Sequence, residues 1–381
     1  MVGFQWLPDI LTSDPADGGF ITMQYNQHNN VVIESEQDFI EQGFLGSGTQ
    51  NDPYVLEGVN ITSEFYPIRI SGTTSVCIIR DSYIESNSGG IGLYNVSNIV
   101  IENSSIVGGT IGIFAENATN ITISRSDFRL SENGIYAVNL RNSRIVNSSF
   151  HHNEYGIRII VGYDIEISQC RIYVNYNTGL YLDNDTANVT VFACDIGWNG
   201  ERVLHNLGLV RNAHDAGNRS LGNNSWISNR WSDYEGENSY QVDGSARSED
   251  SFASLLVDLQ APNISGPDDL RYDEGETGNW LIWNITELYP AFYGLLVNGF
   301  QIISGEWYDD SIRFLVDGFA LGSHNLTLYC IDSAGNSVSD EVWVSVMISM
   351  FGSEGTEIIL YSSLVSVLAI VILLVFIKRM R

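Results

Sequence analysis

The chain has 381 residues, of which 44% are hydrophobic and 17% are charged. Its 18 Lys and Arg residues against 46 Asp and Glu residues give a formal net charge of −28, which argues against nucleic acid and anionic lipid as partners. The length exceeds one ordinary hydrophobic core and suits a solenoid, a small second domain and an anchor.

The first segment, residues 1–29, is predicted to be irregular. It has no basic start, and Pro8, Asp9 and Asp14 interrupt its apolar residues, so no secretory signal peptide is visible. Two explanations stay open: the start is misassigned or truncated, or a helix at the other end of the chain directs insertion by itself.

Residues 30–256 carry a repeat with a period of about 22 residues. Its most regular mark is a glycine followed by an aliphatic residue, at Gly90, Gly112, Gly134, Gly156 and Gly179. Two further apolar columns run in step with it, through Ile101, Ile123, Ile145, Ile167 and Val191, and through Ile106, Phe128, Phe150, Ile172 and Ile196. Such a period indicates one structural unit stacked on itself.

Within each repeat, apolar and polar residues alternate, which is typical of strands. About 22 residues at about 3.3 Å each give a coil of about 70 Å, enough for a three-sided turn that rises about 4.8 Å. Leucine is too scarce to favour a leucine-rich repeat, which shares this period. The sequence therefore predicts an all-β fold that begins with a right-handed parallel β-helix.

Two polar columns accompany the apolar ones. Short polar residues that tolerate a left-handed turn recur at Asn98, Asn120, Asn142, Asp164 and Asn188. Small residues that fit a narrow core recur at Ser82, Ser104, Ser126, Ser148, Cys170 and Cys194. The four cysteines, completed by Cys77 and Cys330, show no metal-ligand spacing. We expect buried thiols, although Cys170 and Cys194 fall on adjacent turns and a disulfide between them is the alternative.

The repeat resembles those of the NosD-like family, which belongs to the carbohydrate-binding and sugar-hydrolase group with a pectin lyase-like fold. The flanks resemble the start and the closing segment of such domains in archaeal surface proteins. They read Gly46–Thr49 with Asp52–Val55, and Asn229–Tyr234 with Tyr240, Gly244–Ala246 and Asp250. The resemblance covers residues 30–256 and implies the fold more strongly than an activity.

The resemblance also implies enzymes to consider, since many proteins of this fold are polysaccharide lyases, glycosidases or epimerases. No catalytic residue is predicted, because the tripeptides of polygalacturonases are absent and Lys378 is the only lysine. The arginines of the repeat, Arg125, Arg144, Arg158 and Arg171, are expected in ion pairs or turns. The copper association of the NosD name gains no support from the scattered histidines, and of His151 and His152 we expect one solvated and one packed ring.

Three tyrosines, Tyr94, Tyr136 and Tyr181, recur at related positions and are predicted to bind a ligand, with packing or simple exposure as the alternative. A two-residue insertion surrounds Asp183 and Asp185, whose oxygens could hold calcium. A solvated turn that carries a glycan is the competing interpretation of that insertion. No other metal or cofactor is predicted.

Thirteen Asn-X-Ser/Thr sequons are candidate glycosylation sites, although Asn and Ser or Thr in repeat turns also create sequons by chance. They lie at Asn60, Asn95, Asn103, Asn117, Asn120, Asn147, Asn184, Asn188, Asn218, Asn223, Asn263, Asn284 and Asn325.

Residues 258–348 show a different β pattern, with alternating runs and a strong two-residue hairpin signal at Asn298–Gly299. About 90 residues of short strands predict an immunoglobulin-like sandwich. It resembles the stalk modules of prokaryotic surface proteins, although the Cys-Trp-Cys pattern of antibody domains is absent. Its expected role is to space the solenoid from a membrane.

A linker at residues 349–357 leads to an uncharged stretch at 358–377, long enough to span a membrane as one helix. The basic tail at 378–381 predicts a cytoplasmic C-terminus and a large domain outside the cell. A tail-anchored protein facing the cytosol is the alternative.

The sequence thus favours a single-pass protein of the cell membrane that binds polysaccharide or a neighbouring surface protein. A surface polysaccharide lyase or glycoside hydrolase is the first alternative. A purely structural coat or adhesion protein is the second.

Overall fold

A computed structural model describes residues 11–13, 20–22, 26–200, 212–236 and 239–348, with backbone alone for the first two stretches. The chain divides into two compact units, Met1–Leu259 and Gln260–Arg381. Each unit is built from strands, and the described part of the chain contains one short helix, α1. The all-β prediction is confirmed for these residues.

The first unit consists of short strands and a few long ones. In chain order they are β1 (Leu11–Ser13), β2 (Phe20–Thr22), β3 (Asn26–Gln27), β4 (Val31–Ile33), then α1 (Glu36–Glu41), β5 (Tyr54–Glu57), β6 (Val59–Ser63), β7 (Ile68–Ser71), β8 (Cys77–Arg80), β9 (Tyr83–Ser86), β10 (Gly89–Tyr94), β11 (Ser97–Glu102), β12 (Ser105–Val107), β13 (Ile111–Ser124), β14 (Asp127–Arg129), β15 (Asn133–Val146), β16 (Ser149–His151), β17 (Tyr155–Ser168), β18 (Arg171–Tyr173), β19 (Thr178–Phe192), β20 (Asp195–Gly197), β21 (Ala213–Asp215), β22 (Ser225–Ile227), β23 (Arg230–Trp231), β24 (Tyr240–Gln241), β25 (Glu249–Asp250) and β26 (Ser254–Leu255).

These strands form the three faces of a parallel β-solenoid. The first face contains β4, β7, β10, the leading halves of β13, β15, β17 and β19, and β21. The second face contains β5, β8, β11, the trailing halves of the same four long strands, and β22. The third face runs from β3 through β6, β9 and every even-numbered strand from β12 to β20, and ends at β23 and β26. Each coil pairs with the next in parallel register.

The glycine column marks the closest approach of successive coils. A Cβ placed on Gly112, Gly134 or Gly156 would lie 2.5 Å from the carbonyl oxygen of the following glycine in the column. No side chain fits at that distance, so glycine is required here by backbone contact and not by a left-handed φ angle.

The core is one continuous stack of aliphatic and aromatic side chains inside the solenoid. The apolar columns predicted from the period are buried and lie in register, as in the Ile101–Ile123–Ile145 series. Phe128 and Phe150 stack with ring centroids 4.8 Å apart. The coil-on-coil prediction is therefore confirmed.

Left-handed residues turn the chain at the corners. The predicted column between the first and second faces has φ angles of 64° at Asn98, 54° at Asn120, 49° at Asn142, 58° at Asp164 and 55° at Asn188. Asn and Asp adopt this conformation at lower cost than most residues because their side chains bond nearby groups.

The predicted column of small residues is buried and satisfies the backbone. The hydroxyl of Ser104 accepts the N–H of Ser82 at 3.2 Å and donates to the carbonyl of Glu102 at 2.9 Å. Cys170 and Cys194 continue the column as free thiols, with the N–H of Cys170 lying 3.5 Å from the Cys194 sulfur. Burial raises the pKa of the Cys194 thiol well above its ordinary value.

A second asparagine column, missed from the sequence, is buried at the corner between the third and first faces. Asn153, Asn175, Asn199 and Asn212 are each about 1% exposed or less. The side-chain oxygen of each accepts the N–H of the preceding member or, for Asn153, that of Ser131. The column thus supplies hydrogen bonds where the backbone turns away from the strand ladder.

The closing segment folds around two buried carboxylates. Asp215 accepts hydrogen bonds from Trp226 Nε1 at 3.0 Å and from the Ser248 hydroxyl at 2.7 Å. Asp250 accepts the N–H groups of Ser228 and Asn229 at 2.9 and 2.8 Å. These bonds satisfy polar groups at the last coils, where the strand ladder ends.

The second unit has its own core. Its strands are β27 (Asn263–Ser265), β28 (Leu270–Asp273), β29 (Trp280–Thr286), β30 (Pro290–Val297), β31 (Phe300–Glu306), β32 (Ser311–Leu315), β33 (Gly322–Asp332) and β34 (Ser337–Met347). They form a three-stranded sheet, β27-β29-β32, and a five-stranded sheet, β28-β34-β33-β30-β31. Both sheets contribute side chains to one buried cluster. The predicted hairpin joins β30 to β31, with φ angles of 52° at Asn298 and 81° at Gly299.

In the described part of the chain, no helix combines the length and the apolar character that a membrane span needs. The predicted linker, span and basic tail, residues 349–381, lie outside the described residues.

Candidate functional site

A continuous row of large side chains runs along the outside of the first face. It contains Phe114, Tyr136, Arg158, Tyr181 and His214, one residue from each of five successive coils, and we call it the aromatic column. All five are half-buried. They are neighbours because parallel in-register strands place equivalent residues directly above one another.

The rings of the aromatic column stack on one another along the solenoid. Phe114 and Tyr136 lie with centroids 5.9 Å apart and planes 12° apart, and Tyr181 and His214 with centroids 4.9 Å apart and planes 11° apart. Because the faces of these rings are occupied by neighbouring members, their edges are what remains for solvent or a ligand. The tyrosine edges carry hydroxyl groups that both donate and accept hydrogen bonds.

Arg158 sits at the centre of the column, surrounded by tyrosines. Its guanidinium carbon lies 5.5 Å from the ring centroids of Tyr136 and Tyr181 and 4.9 Å from that of Tyr155. Within the described residues Arg158 makes no hydrogen bond or ion pair, and its Nε is buried without a partner. The hydroxyl of Tyr155 is itself held by the amide of Asn177 at 2.9 Å.

A second group of rings extends the column toward the first coils. Tyr94 lies 5.3 Å from Phe114, with the planes at 53°, and packs over Gly92. Tyr66 bonds to Tyr94, and burial, together with that neighbour, raises the pKa of Tyr66 to about 12. The guanidinium of Arg69 lies 5.3 Å from the Tyr94 ring.

The three tyrosines singled out from the sequence are therefore on one face. Tyr136 and Tyr181 belong to the aromatic column, two coils apart. Tyr94 lies two residues beyond the equivalent position of its own coil, Gly92, and contacts the column through Phe114. Their assignment to ligand binding stays a prediction. Sequence reasoning missed Arg158, although its place at the same repeat position between Tyr136 and Tyr181 is a readable signal.

The predicted calcium ligands lie in the bend of β19. Asp183 is half-buried, and its carboxylate accepts the N–H of Asn184 at 2.7 Å, while its carbonyl accepts the hydroxyl of Thr186 at 2.7 Å. Asp185 is exposed and pairs in register with Val161. The calcium site stays a prediction.

The sequons are largely accessible. Two are half-buried, Asn60 and Asn325, and the others are exposed: Asn95, Asn103, Asn117, Asn120, Asn147, Asn184, Asn188, Asn218, Asn223, Asn263 and Asn284. Several of their amides bond across coils, such as that of Asn117 to the Asn95 oxygen at 3.1 Å. Glycan attachment stays a prediction.

The expectation of ion pairs holds for Arg125 and Arg144. Arg125 pairs with Glu102 at 2.7 Å and Arg144 pairs with Glu166 at 3.1 Å, both linking adjacent coils of the second face. Arg171 donates to the Ser149 hydroxyl at 2.9 Å on the third face. Arg158 departs from the expectation, because tyrosine rings take the place of a carboxylate.

The third face carries a cluster of a half-buried carboxylate with buried histidine and arginine side chains, which the sequence did not reveal. His151 Nε2 lies 2.9 Å from the Asp127 carboxylate, its Nδ1 lies 2.8 Å from His152 Nδ1, and Arg129 also pairs with Asp127. Both histidines are buried, so the expectation of one solvated ring is wrong. The ring of His151 packs on Tyr173, 4.9 Å away, and the ring of His152 lies edge-on to that of His151, with centroids 5.1 Å apart.

Burial by itself opposes ionisation of Asp127, but His151 and Arg129 outweigh it and hold the pKa of this carboxyl below its ordinary value of 3.8. A lowered pKa in the folded state stabilises the fold above the ordinary pKa, and the contribution is lost as the pH falls toward the lowered value. We expect Asp127→Asn to reduce the free energy of unfolding at pH 7 by about 2 kcal/mol, the loss of charge-assisted hydrogen bonds.

The difference in the free energy of unfolding between wild type and Asp127→Asn should become smaller as the pH is lowered below 3.8. Urea unfolding at a series of pH values measures this difference. Glu166→Gln, which removes an exposed ion pair with Arg144, is the control and should cost less than about 1 kcal/mol. A gap that is constant with pH would contradict the assignment.

A polar cleft of about 420 Å³ lies at the corner between the second and third faces. Its lining includes Arg171, Asp195 and Arg230. Two nitrogens of Arg230 bind the two oxygens of Asp195 at 2.5 and 2.6 Å. The carboxylate of this cleft is therefore already engaged by an intramolecular partner.

Comparison with known proteins identifies the fold. A family model described as right handed beta helix region matches residues 21–128 and 66–225, which together span more than half of the chain. No curated protein matches the sequence. Among solved structures, the chain is similar to one described as "Crystal structure of pectate lyase Pel9A", at 13% sequence identity and a TM-score of 0.36, over 61% of this chain and 80% of that chain.

Proposed function

This chain belongs to the right-handed β-helix family, and from that premise we propose that it binds glycans along the first face of its solenoid. The observation that carries the proposal is the aromatic column, with four rings and one guanidinium on five successive coils. A ligand that follows the solenoid axis meets one of these side chains per coil.

The chemistry of the column suits a polyhydroxylated chain. Tyrosine hydroxyls both donate and accept, as sugar hydroxyls do, and the guanidinium of Arg158 adds donors. Successive coils are about 4.8 Å apart, a spacing comparable with the length of one pyranose unit. Since stacking fixes the rings before a ligand arrives, little side-chain entropy is lost on binding.

Further parts of the proposal rest on the sequence. We propose that the chain is anchored in the cell membrane by residues 358–377, with the large N-terminal part outside and the basic tail in the cytoplasm. The second unit, with its two sheets around one core, is proposed as an immunoglobulin-like spacer. A neighbouring surface protein is the alternative ligand, and the acidic charge disfavours nucleic acid.

Catalysis on polysaccharide is the competing interpretation. Glycoside hydrolysis by two carboxylates needs both to face one cleft. In the polar cleft Asp195 is bound by Arg230 through two nitrogens, an arrangement that suits a structural ion pair. Incubation of the full chain with neutral and acidic polysaccharides separates the alternatives, since turnover would favour an enzyme.

We expect the double variant Tyr136→Phe/Tyr181→Phe to bind its glycan roughly tenfold more weakly than wild type. The change removes two hydroxyls while it keeps the stacked rings, and each hydrogen bond contributes about 0.5–1.5 kcal/mol. A glycan array probed with the full-length chain identifies the ligand, and titration of that ligand with both proteins measures the change.

Tyr163→Phe is the matched control for this experiment. Tyr163 also packs against an arginine, with the Arg141 guanidinium 4.6 Å from its ring, but it lies outside the aromatic column. The Tyr163→Phe variant should bind the glycan with the same affinity as wild type. An array without hits would favour a purely structural role, and equal affinity of the double variant and wild type would remove the aromatic column from the binding site.

A further inference from the structure

Six arginines in the described part of the solenoid have a carboxylate within 4 Å, as expected for a chain with 46 Asp and Glu residues. These pairs are Arg69–Glu34, Arg80–Glu57, Arg125–Glu102, Arg129–Asp127, Arg144–Glu166 and Arg230–Asp195. Arg158 differs, because the described residues offer it three tyrosine rings and no acceptor.

The contacts of Arg158 leave its hydrogen-bond donors without acceptors among the described residues. Cation–π contacts with aromatic rings do not use the N–H donors of a guanidinium in conventional hydrogen bonds. The Nε is buried, so the two terminal nitrogens are the ones available to a ligand. A planar fork of this kind matches the two oxygens of a carboxylate or of a sulfate ester.

The tyrosines also fix where the fork lies. Tyr136 and Tyr181 hold it from the coils on either side, and Tyr155 covers it from the same coil, at 5.5, 5.5 and 4.9 Å. The amide of Asn177 in turn holds the hydroxyl of Tyr155. A guanidinium kept in place in this way loses little freedom when an anion binds, and partial exclusion of water strengthens the charge-assisted bonds.

We propose that Arg158 is an anion subsite within the aromatic column, so that the preferred ligand is an acidic glycan bearing carboxylate or sulfate groups. This inference rests on the proposed glycan-binding function. The terminal nitrogens of Arg158 bind the anionic group, and the hydroxyls of Tyr136 and Tyr181 bind the sugar on the neighbouring coils. No bond is made or broken.

The net charge of the chain makes the proposal easy to test. At −28, the protein as a whole repels a polyanion, so general attraction cannot produce a preference for acidic glycans. At 0.15 M salt the repulsion is screened beyond about 8 Å, while contact at a half-buried arginine persists. A measured preference for acidic over neutral sugar therefore reports a local positive site.

The experiment compares three polymers on one backbone: dextran, carboxymethyl-dextran and dextran sulfate. Immobilised polymers are titrated with the full-length chain at 0.15 M salt. We expect wild type to bind at least one of the two acidic polymers roughly 10- to 100-fold more tightly than dextran, as a charge-assisted hydrogen-bond pair predicts. The carboxymethyl and sulfate arms show which anionic group is preferred.

Three variants assign the effect to Arg158. Arg158→Gln should lose the acidic preference and keep its weak binding to dextran, and Arg158→Lys should recover part of the preference because it restores charge without the fork. Arg144→Gln removes an arginine that is ion-paired with Glu166 on the second face and should behave as wild type. Thermal melting of each variant checks the fold.

Three outcomes would overturn the inference: an intact preference in Arg158→Gln, an equal loss in Arg144→Gln, or no binding of wild type to either acidic polymer. If the chain does not bind glycans at the aromatic column at all, the result is different from these three. The glycan array, which contains neutral sugars on other backbones, then gives no hit that depends on Tyr136 or Tyr181. If the array shows glycans whose binding depends on Tyr136 or Tyr181 but wild type has no preference for acidic polymers, the glycan-binding function is supported and only the anion subsite is wrong.

Discussion

Replacement of Gly134 by alanine is expected to destabilise the solenoid by about 3 kcal/mol or more, the upper range for overpacking. A Cβ at this position would lie 2.5 Å from the carbonyl oxygen of Gly156 and 3.2 Å from the ring of Phe150. Neither the carbonyl oxygen of Gly156 nor the ring of Phe150 can move away without disturbing its own packing. The carbonyl belongs to the next coil, and its distance is fixed by the parallel hydrogen bonds between β15 and β17.

Urea unfolding followed by far-UV circular dichroism measures this effect. Gly305→Ala is the matched control, since a Cβ there would meet only Tyr293 at 3.4 Å, an ordinary contact. That substitution should change the free energy of unfolding by less than about 1 kcal/mol. If Gly134→Ala proved as stable as wild type, the conclusion that successive coils lie too close at the glycine column to admit a side chain would be wrong.

Replacement of Asn175 by alanine is expected to lower the free energy of unfolding by about 3–5 kcal/mol. The side chain is 1% exposed, and its oxygen accepts the N–H and the amide of Asn153 at 3.2 and 3.1 Å. Its own amide donates to the carbonyl of Phe150 and to the Asn199 oxygen, both at 2.9 Å. Alanine would leave several buried polar groups without partners, each at a cost of about 1–3 kcal/mol.

The control for Asn175 is an asparagine at the equivalent turn of an earlier coil. Asn87 is exposed, and its side chain makes no hydrogen bond with the residues that the structure describes. Asn87→Ala should shift the free energy of unfolding by no more than about 0.5 kcal/mol. Thermal and urea unfolding of both variants provide the comparison. Similar losses at the two positions would show that the buried asparagine column is not what stabilises this corner.

The two variants test different properties of the same coils. Gly134 allows the backbones of two coils to approach closely, and Asn175 supplies hydrogen bonds where the backbone leaves the strand ladder. Both belong to interactions between neighbouring coils. Because each coil of a solenoid contacts chiefly its neighbours, we expect the loss to be greatest in the coils next to the substitution, and hydrogen exchange at those amides would locate it.

The periodicity of the sequence was sufficient to predict the solenoid. A glycine every 22 or 23 residues, with aliphatic columns in step, allows one stacking in which like residues coincide, and the pairing of Ile91 with Ile113 follows it. The left-handed turn at Asn120 was predictable for the same reason, since residue type and period agreed. The boundaries of the six predicted segments and the terminal span stay predictions.

The candidate site was only partly predictable. Tyr136 and Tyr181 can be selected because they recur, but for Arg158, at the same repeat position, the sequence predicts only an ion pair or a turn. A repeat pattern places equivalent residues above one another, yet it does not say which acceptor a side chain finds. That depends on all the groups nearby, including Tyr155, which lies outside the column.

The sequence by itself determined the coil length, the core columns and the corner residues, because these follow from local alternation and from a period that repeats like on like. Only the tertiary structure decided that outward rings of neighbouring coils stack, that Arg158 lies among three tyrosine rings, and that the Asp127 carboxylate contacts the buried His151. The physical reason is that side-chain contacts between coils depend on rotamer and packing geometry, which the order of residues along one strand does not specify.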